Sequence, residues 1–574
     1  MPYRRQVVRN FPPPALFLSV MRLSRLLPTA VTLAGVLALS LALSPAPALA
    51  SGNQIAMFQD GIHLMADPGP TLQTIRKLGA TTVRVVVFWS TVAPSPRSHN
   101  QPHFNQSDPN AYPASGWAPY DAIVRYAQDF GITVDLTVAG GSPLWADGSG
   151  IDPKCSNPHF ACKPSARDYG QFMQAIGKRY SGTFTPPGQA SPLPAVHFWA
   201  IWNEPNFGED LGPQAVNGST LSVAPGMYRS LVDAGWSALH ATGHGHDTIL
   251  IGELAARGSN GSATRRFPQG FPGTFGQTKP LQFIRTLYCV DSSYRPLRGG
   301  YAAARGCPTN AAGSRHFRSQ HPGLFQASGF GDHPYPLNLS PVLDGRSDPD
   351  YAAFPDLGRL GGVLDHVQRV YGSGTRFPIY NDEYGYITDP PATQQAPGGG
   401  HYVSPATGAY YINWAEYLSW RNPRVKTTMQ YLLYDPPPGP GPYAGFASGL
   451  ITGNGHLKPA YSAYRLPLYM PVTSASHNRN LEVWGCARPA HFSLLDTGAS
   501  QSVQIQFQRG SHGSFTTLKT VPITNAQGYF DVHMKFSGSG TVRLAWTYPS
   551  VDMFLPGNAL GVTVYSRSVQ LNLH

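Results

Sequence analysis

The feature that most narrows what this 574-residue chain can become is an alternation. Eight short apolar, β-branched runs are separated by longer stretches with helical spacing. The runs span residues 55–63, 82–89, 132–139, 196–202, 248–254, 324–331, 377–381 and 425–433. Helix-like patterns lie between them at 120–130, 166–180, 226–241, 281–288, 357–371 and 408–419. Parallel strands need a crossover of a dozen or more residues, so strand–helix alternation implies a parallel sheet covered by helices on its outside. Eight such units over about 420 residues predict a closed (β/α)8 TIM barrel, an α/β fold, across residues 51–470. A doubly wound open sheet is the alternative, but no Gly-x-Gly-x-x-Gly follows the first run.

From about Val472 the pattern changes. Residues 501–507 (QSVQIQF), 531–536 and 541–546 (TVRLAW) alternate strictly, with glycine-containing turns between them. Period-two alternation puts Val503, Ile505, Phe507, Val532, Met534, Phe536, Val542, Leu544 and Trp546 on inward faces. This predicts a small all-β sandwich over residues 471–574. No cluster of exposed aromatics stands out there, which favours a covering role over sugar binding, although fold alone assigns neither.

Residues 1–50 read as an export segment. They hold Arg4, Arg5, Arg9, Arg22 and Arg25 with no acidic residue, then the apolar run 30–43 and the small-residue pattern Ala48-Leu49-Ala50. Fourteen apolar residues are too few for a spanning helix, which needs about 20. Cleavage after Ala50 lowers the net charge from +11 to +6, weak grounds for a nucleic-acid partner in a chain with only 13% charged residues. An exported chain oxidises its thiols. The proximity of Cys155 to Cys162 and of Cys289 to Cys307 suggests two disulfides, leaving Cys486 over.

Two carboxylates stand where chemistry is expected. The fourth run ends His197-Phe198-Trp199-Ala200-Ile201-Trp202-Asn203-Glu204-Pro205, and the seventh ends Ile379-Tyr380-Asn381-Asp382-Glu383-Tyr384. The carboxyl ends of strands four and seven face each other across the mouth of an eight-stranded barrel, where active sites of this fold lie. The Trp202-Asn203-Glu204-Pro205 segment with a later strand-end Glu383 resembles the retaining glycoside hydrolases of the large (β/α)8 clan. That resemblance implies Glu204 as acid/base, Glu383 as nucleophile and Asn203 as a partner of a sugar hydroxyl. It further implies that Arg84 and Tyr335 contact the nucleophile and that His333 faces substrate. It implies no cofactor.

The physical requirement is independent of the resemblance. Glycosidic cleavage needs a proton for the leaving oxygen and a nucleophile or activated water on the opposite face of the anomeric carbon. Carboxylates about 5.5 Å apart repel by about 3 kcal/mol at an effective dielectric of about 20, enough to keep one of them protonated. Aromatics crowd the strand ends, among them Trp89, Trp145, Trp202, Tyr384, Tyr386, Tyr431 and Tyr434. Trp145, Trp89 and Tyr431 are candidate sugar platforms. Two other classes of function are weaker. A silent carbohydrate-binding surface protein has no need of both glutamates. Metal-dependent hydrolysis through Asp332, His333 and Asp382 lacks a His-x-His or His-Glu-x-x-His anchor.

Overall fold

The computed structural model describes residues 53–215, 221–259, 261, 272–343, 348–396, 399–437 and 445–574. The expected export segment lies outside the described residues. Eight parallel strands follow in chain order: β1 (Ile55–Gln59), β2 (Thr82–Phe88), β3 (Thr133–Ala139), β4 (Phe198–Ile201), β5 (Thr248–Ala255), β6 (Gly329–His333), β7 (Ile379–Asn381) and β8 (Thr427–Tyr431). Their order in the sheet is β7-β6-β5-β4-β3-β2-β1-β8. Ile379 N donates to Arg424 O at 2.8 Å and Lys426 N donates to Ile379 O at 2.9 Å, so the two ends of the sheet meet and the barrel closes.

The helical layer follows the sequence spacing closely, with helices at Ala114–Asp129, Ala166–Arg179, Ala224–Ala241, Pro280–Leu287, Leu357–Val370 and Pro405–Trp420. Local chemistry sets their starts. Ser165 and Ser404 cap two of them by accepting from the N–H groups of Asp168 and Thr407, and Pro280 and Pro405 sit where a missing N–H costs nothing. One expected strand is corrected. Residues 323–326 form a helical turn (Gly323–Gln326), and β6 starts only at Gly329. Pro322, with φ −58° and ψ −35°, leads into that turn, which buries Leu324 and Phe325.

The C-terminal residues form two sheets on one shared core. The larger has the order β10-β17-β15-β12-β13 with β16 on β15, and the smaller runs β14-β11-β9. Their strands are β9 (Leu468–Tyr469), β10 (Ser474–Ala475), β11 (Leu481–Cys486), β12 (Ser502–Arg509), β13 (Thr516–Pro522), β14 (Tyr529–Met534), β15 (Gly540–Thr547), β16 (Thr563–Tyr565) and β17 (Val569–Leu573). Val503, Ile505, Phe507, Val542, Leu544 and Trp546 bury on the inner face of the larger sheet, as their alternation predicts. Val532 and Met534 pack against the same core but stay partly exposed.

These sheets are joined to the barrel by buried polar groups. Arg488 Nη2 donates to both oxygens of Glu416, at 2.6 and 2.7 Å, and Tyr529 Oη donates to Glu416 Oε1 at 2.9 Å. Arg76 makes a two-pronged pair with Asp496, at 2.7 Å on each side, while its guanidinium lies over Phe492 and Phe554. The approach is close at Gly79, where φ is +88° and an added Cβ would stand 2.4 Å from the backbone of Arg488. Both expected disulfides are present, Cys155–Cys162 and Cys289–Cys307, and Cys486 is a buried free thiol. Among the described residues no helix is long and apolar enough to cross a membrane.

Candidate active site

The carboxyl ends of the strands converge on one guanidinium. Arg84 points inward from β2 with no exposed surface, and its terminal nitrogens serve four acceptors. Nη1 donates to Gln59 Oε1 at 2.6 Å and to Glu383 Oε2 at 2.9 Å. Nη2 donates to Asn203 Oδ1 at 2.7 Å and to Glu253 Oε2 at 2.5 Å. Arginine suits this position because its planar fork presents several donors at fixed angles and does not lose its charge. Burial works against that charge, but Glu253 and Glu383 hold the guanidinium protonated well above its ordinary range.

Glu204 and Glu383 lie at the surface end of this array. Their side chains are 17% and 15% exposed, whereas Arg84, Glu253, His333 and Asp382 have none of their side-chain surface exposed. Oxygens of the two glutamates and a nitrogen of His333 all lie within 4.8 Å of one another. Glu383 has a second support besides Arg84, and Glu204 has a separate one. Tyr335 Oη donates to Glu383 Oε1 at 3.0 Å, and His333 Nδ1 is 2.9 Å from Glu204 Oε1. Burial and the charge of Glu383 push the Tyr335 hydroxyl well above its usual range, so it stays a phenol and a donor.

The backbone that presents Glu204 is strained. Trp202 has φ +74° and Glu204 φ +35°, conformations that cost a non-glycine residue on the order of 1–3 kcal/mol each. Trp202 N donates to Val138 O and Glu204 N to Glu253 O, both at 3.0 Å, while Trp202 Nε1 donates to Asp210 O at 3.1 Å. These bonds hold the turn that carries the carboxylate out of the barrel. Glu253 is itself placed by an irregularity. The β5–β6 register shifts between Gly252 and Leu254, and Glu253 at φ +49° sits in that shift, as in a bulge that re-aims one side chain.

No protein-family model matches the chain, and no curated protein matches it in sequence. Solved structures similar to it include an endo-β-1,4-mannanase from Thermotoga petrophila, at 11% identity and TM-score 0.37, covering 91% of this chain and 98% of that one. A glucosidase from Croceicoccus marinus is similar at 11% identity and TM-score 0.42, covering 92% and 94%. A family 1 β-glucosidase from Thermotoga maritima is similar at 13% identity and TM-score 0.39, covering 70% and 85%. Likeness at these scores leaves the site to be read from its own geometry.

The other expected site residues divide by burial. Asn203 is engaged on both ends of its amide, accepting from Arg84 and donating Nδ2 to Asp210 Oδ1 at 3.1 Å. His333, expected to face substrate, has no exposed surface and lies behind Glu204. Trp89 is also fully buried, stacked 5.8 Å from Phe172, so it is core rather than platform. Trp145 is 8% exposed, its indole N–H tied to Pro94 O at 3.0 Å and its ring edge-on to Trp89 and Phe104. Tyr431 is buried edge-on to Tyr335 and to the half-buried Phe446, forming one aromatic wall beside Glu383.

Sequence reasoning missed Gln59, Asp135, Asp210 and Glu253. A Gly252-Glu253 pair inside an apolar strand is the one visible signal, because a glycine in a strand interior often marks a bulge. Two donor sets could in principle hold a cation: Glu204, His333 and Glu383, and Glu253, His333 and Asp382. Arg84 already places a permanent positive charge against a carboxylate of each set, 2.9 Å from Glu383 and 2.5 Å from Glu253. A second cation there would meet that charge at close range.

Proposed function

We propose that this chain is a secreted retaining glycoside hydrolase that cleaves O-glycosidic bonds by double displacement. The observation that carries the reading is the pair Glu204 and Glu383, partly exposed at the exits of β4 and β7, with oxygens within 4.8 Å of each other. One oxygen of each glutamate within 4.8 Å is compatible with the carboxyl separation of about 5–5.5 Å that direct attack by one carboxylate needs. An inverting pair stands about 6.5–9.5 Å apart to admit a water between.

Roles follow from the supports. Glu383 accepts from Arg84 and Tyr335 and is fixed on a rigid base, which suits a nucleophile. Glu204 keeps one oxygen against His333 and leaves the other for the leaving group, which suits an acid that later acts as base for water. Once Glu383 is esterified its charge is gone, and Glu204 is left to act as base for the incoming water. Asn203, fixed by Arg84 and Asp210, stands beside the anomeric centre, and the Tyr335–Tyr431–Phe446 wall offers apolar contact to a sugar face. Secretion rests on the export segment and on the two disulfides.

A screen of activated aryl glycosides and polysaccharides for released sugar tests the class, and NMR of the first product tests the stereochemistry. The expected result is hydrolysis with retained anomeric configuration. Inversion would overturn the double displacement, and binding without any release would favour the silent carbohydrate-binding reading.

A further inference from the structure

Beneath the two glutamates lies a layer of acids that the double displacement does not use. Asp135 on β3, Glu253 on β5 and Asp382 at the end of β7 have no exposed surface, and Arg84 is the one guanidinium among them. Both oxygens of Asp382, both of Asp135 and Glu253 Oε1 have no hydrogen-bond donor among the described residues. Asp382 instead meets another carboxyl, that of Glu253, and two carboxylates in contact in a dry interior cannot both ionise. His333 joins this layer to the site. Its Nδ1 lies 2.9 Å from Glu204 Oε1, and its Nε2, also without a partner, faces Asp382 Oδ1 at 3.5 Å and Glu253 Oε2 at 4.0 Å.

We infer that Asp382 and Glu253 share one proton and that this pair sets the state of the imidazole behind Glu204. In the assigned arrangement Asp382 keeps its carboxyl proton and directs it at His333 Nε2. His333 is then neutral, with its single proton on Nδ1, donated to Glu204 Oε1. Glu253 remains the anion that pairs with Arg84. Moving the proton from Asp382 to Nε2 conserves total charge but creates an imidazolium 2.9 Å from Glu204. That positive charge would favour release of the proton Glu204 must deliver to the leaving oxygen. Asp382 and Glu253 are thus positioning residues that act through His333, a role resting on the acid/base reading of Glu204.

The surroundings agree on the sign. Asp382 is faced by Glu253 from β5, Arg84 from β2, Asp135 from β3, His333 from β6 and, farther off, the Tyr228 phenol from the helix Ala224–Ala241. His333 is faced by Glu204, Glu383, Glu253 and Asp382. Burial pushes the Asp382 carboxyl well above its usual range and Glu253 adds to this, with Arg84 opposing. An added Cβ at Gly331 would stand 2.3 Å from Asp382 Oδ2 and 2.8 Å from Glu253 Cγ, so the space for the pair exists because that residue is glycine.

Nitrogen-15 NMR of the histidine-labelled full chain tests the inference, with the His333 signals assigned by their loss in His333→Gln. The expected spectrum shows one protonated and one bare nitrogen, unchanged in Asp382→Asn, whose amide N–H can replace the carboxyl proton. In Asp382→Ala the signals should collapse to averaged tautomers. An imidazolium in the parent chain that becomes neutral in Asp382→Asn would overturn the inference. So would a shift of both nitrogens on adding zinc chloride, which would make the cluster a metal site. The readout needs no substrate, so failure of the glycosidase reading and failure of the proton pair are separately visible.

Discussion

Arg84 Nη1 stands 2.9 Å from Glu383 Oε2 while Nη2 of the same guanidinium stands 2.5 Å from Glu253 Oε2. One buried cation therefore holds the proposed nucleophile and an acid of the layer below it. Replacing Arg84 with Lys keeps a charge but cannot serve four acceptors from fixed directions. We expect a fall in kcat of about a hundredfold or more and a drop of about 3 kcal/mol in unfolding free energy, measured by kinetics and denaturant melts. An unchanged kcat would remove Arg84 from the site's support.

Glu383→Gln should lower turnover by at least about a thousandfold and abolish covalent labelling by a fluorosugar of the matching type. Peptide mapping of the labelled parent chain checks the position. Label on a carboxylate other than Glu383 would sink the assignment.

Glu204→Ala should spare aryl glycosides with good leaving groups far more than natural substrates, and added azide should restore part of the lost rate. Equal loss on both substrate classes would argue against an acid/base role.

The Arg488–Glu416 pair is buried between the barrel and the C-terminal sheets, with side chains 2% and 4% exposed. Arg488→Met leaves Glu416 an unpaired buried charge, and should cost about 3–5 kcal/mol in chemical unfolding. Adding Glu416→Gln should recover much of that loss, since Tyr529 can still donate to the amide oxygen. If Arg488→Met alone is neutral, the pair does not join the two parts.

Asp147 follows β3, where burial pushes its carboxyl up to about 8 against the opposing hydrogen bond from Ser142. A raised carboxyl stabilises the fold below the ordinary range near pH 4 and loses that contribution as pH rises through about 8. Asp147→Asn should therefore be more stable than the parent chain at pH 8, by about 5 kcal/mol, and nearly equal to it at pH 4. A gap of the opposite sign at pH 8 would refute the burial argument.

Much of the fold is legible because its signals are local. β-branched runs of five to eight residues such as β2 and β5 are buried on both faces and need no partner to be recognised. Serine caps and N1 prolines mark helix starts within the segment itself. The run 324–331 misleads because apolar residues fill a short buried helical turn as readily as a strand, and Pro322 decides between them. Trp89 misleads for a related reason. A tryptophan at a strand end can line a mouth or fill a core, and Phe172 and Tyr169, more than 75 residues away in sequence, determine which.

By itself the sequence determined the strand–helix alternation, the alternating C-terminal strands and the strand-end positions of Glu204 and Glu383, and it suggested the two cysteine pairs. All of these depend on period, proximity or immediate neighbours along the chain. Only the tertiary structure decided that Arg84 would bind Glu383 and Glu253 together, that His333 would stand behind Glu204, and that Glu253 would turn inward at a register shift. Those facts depend on strands far apart in sequence closing into one ring. The charges that meet inside it have no spacing along the chain from which their distances could be read.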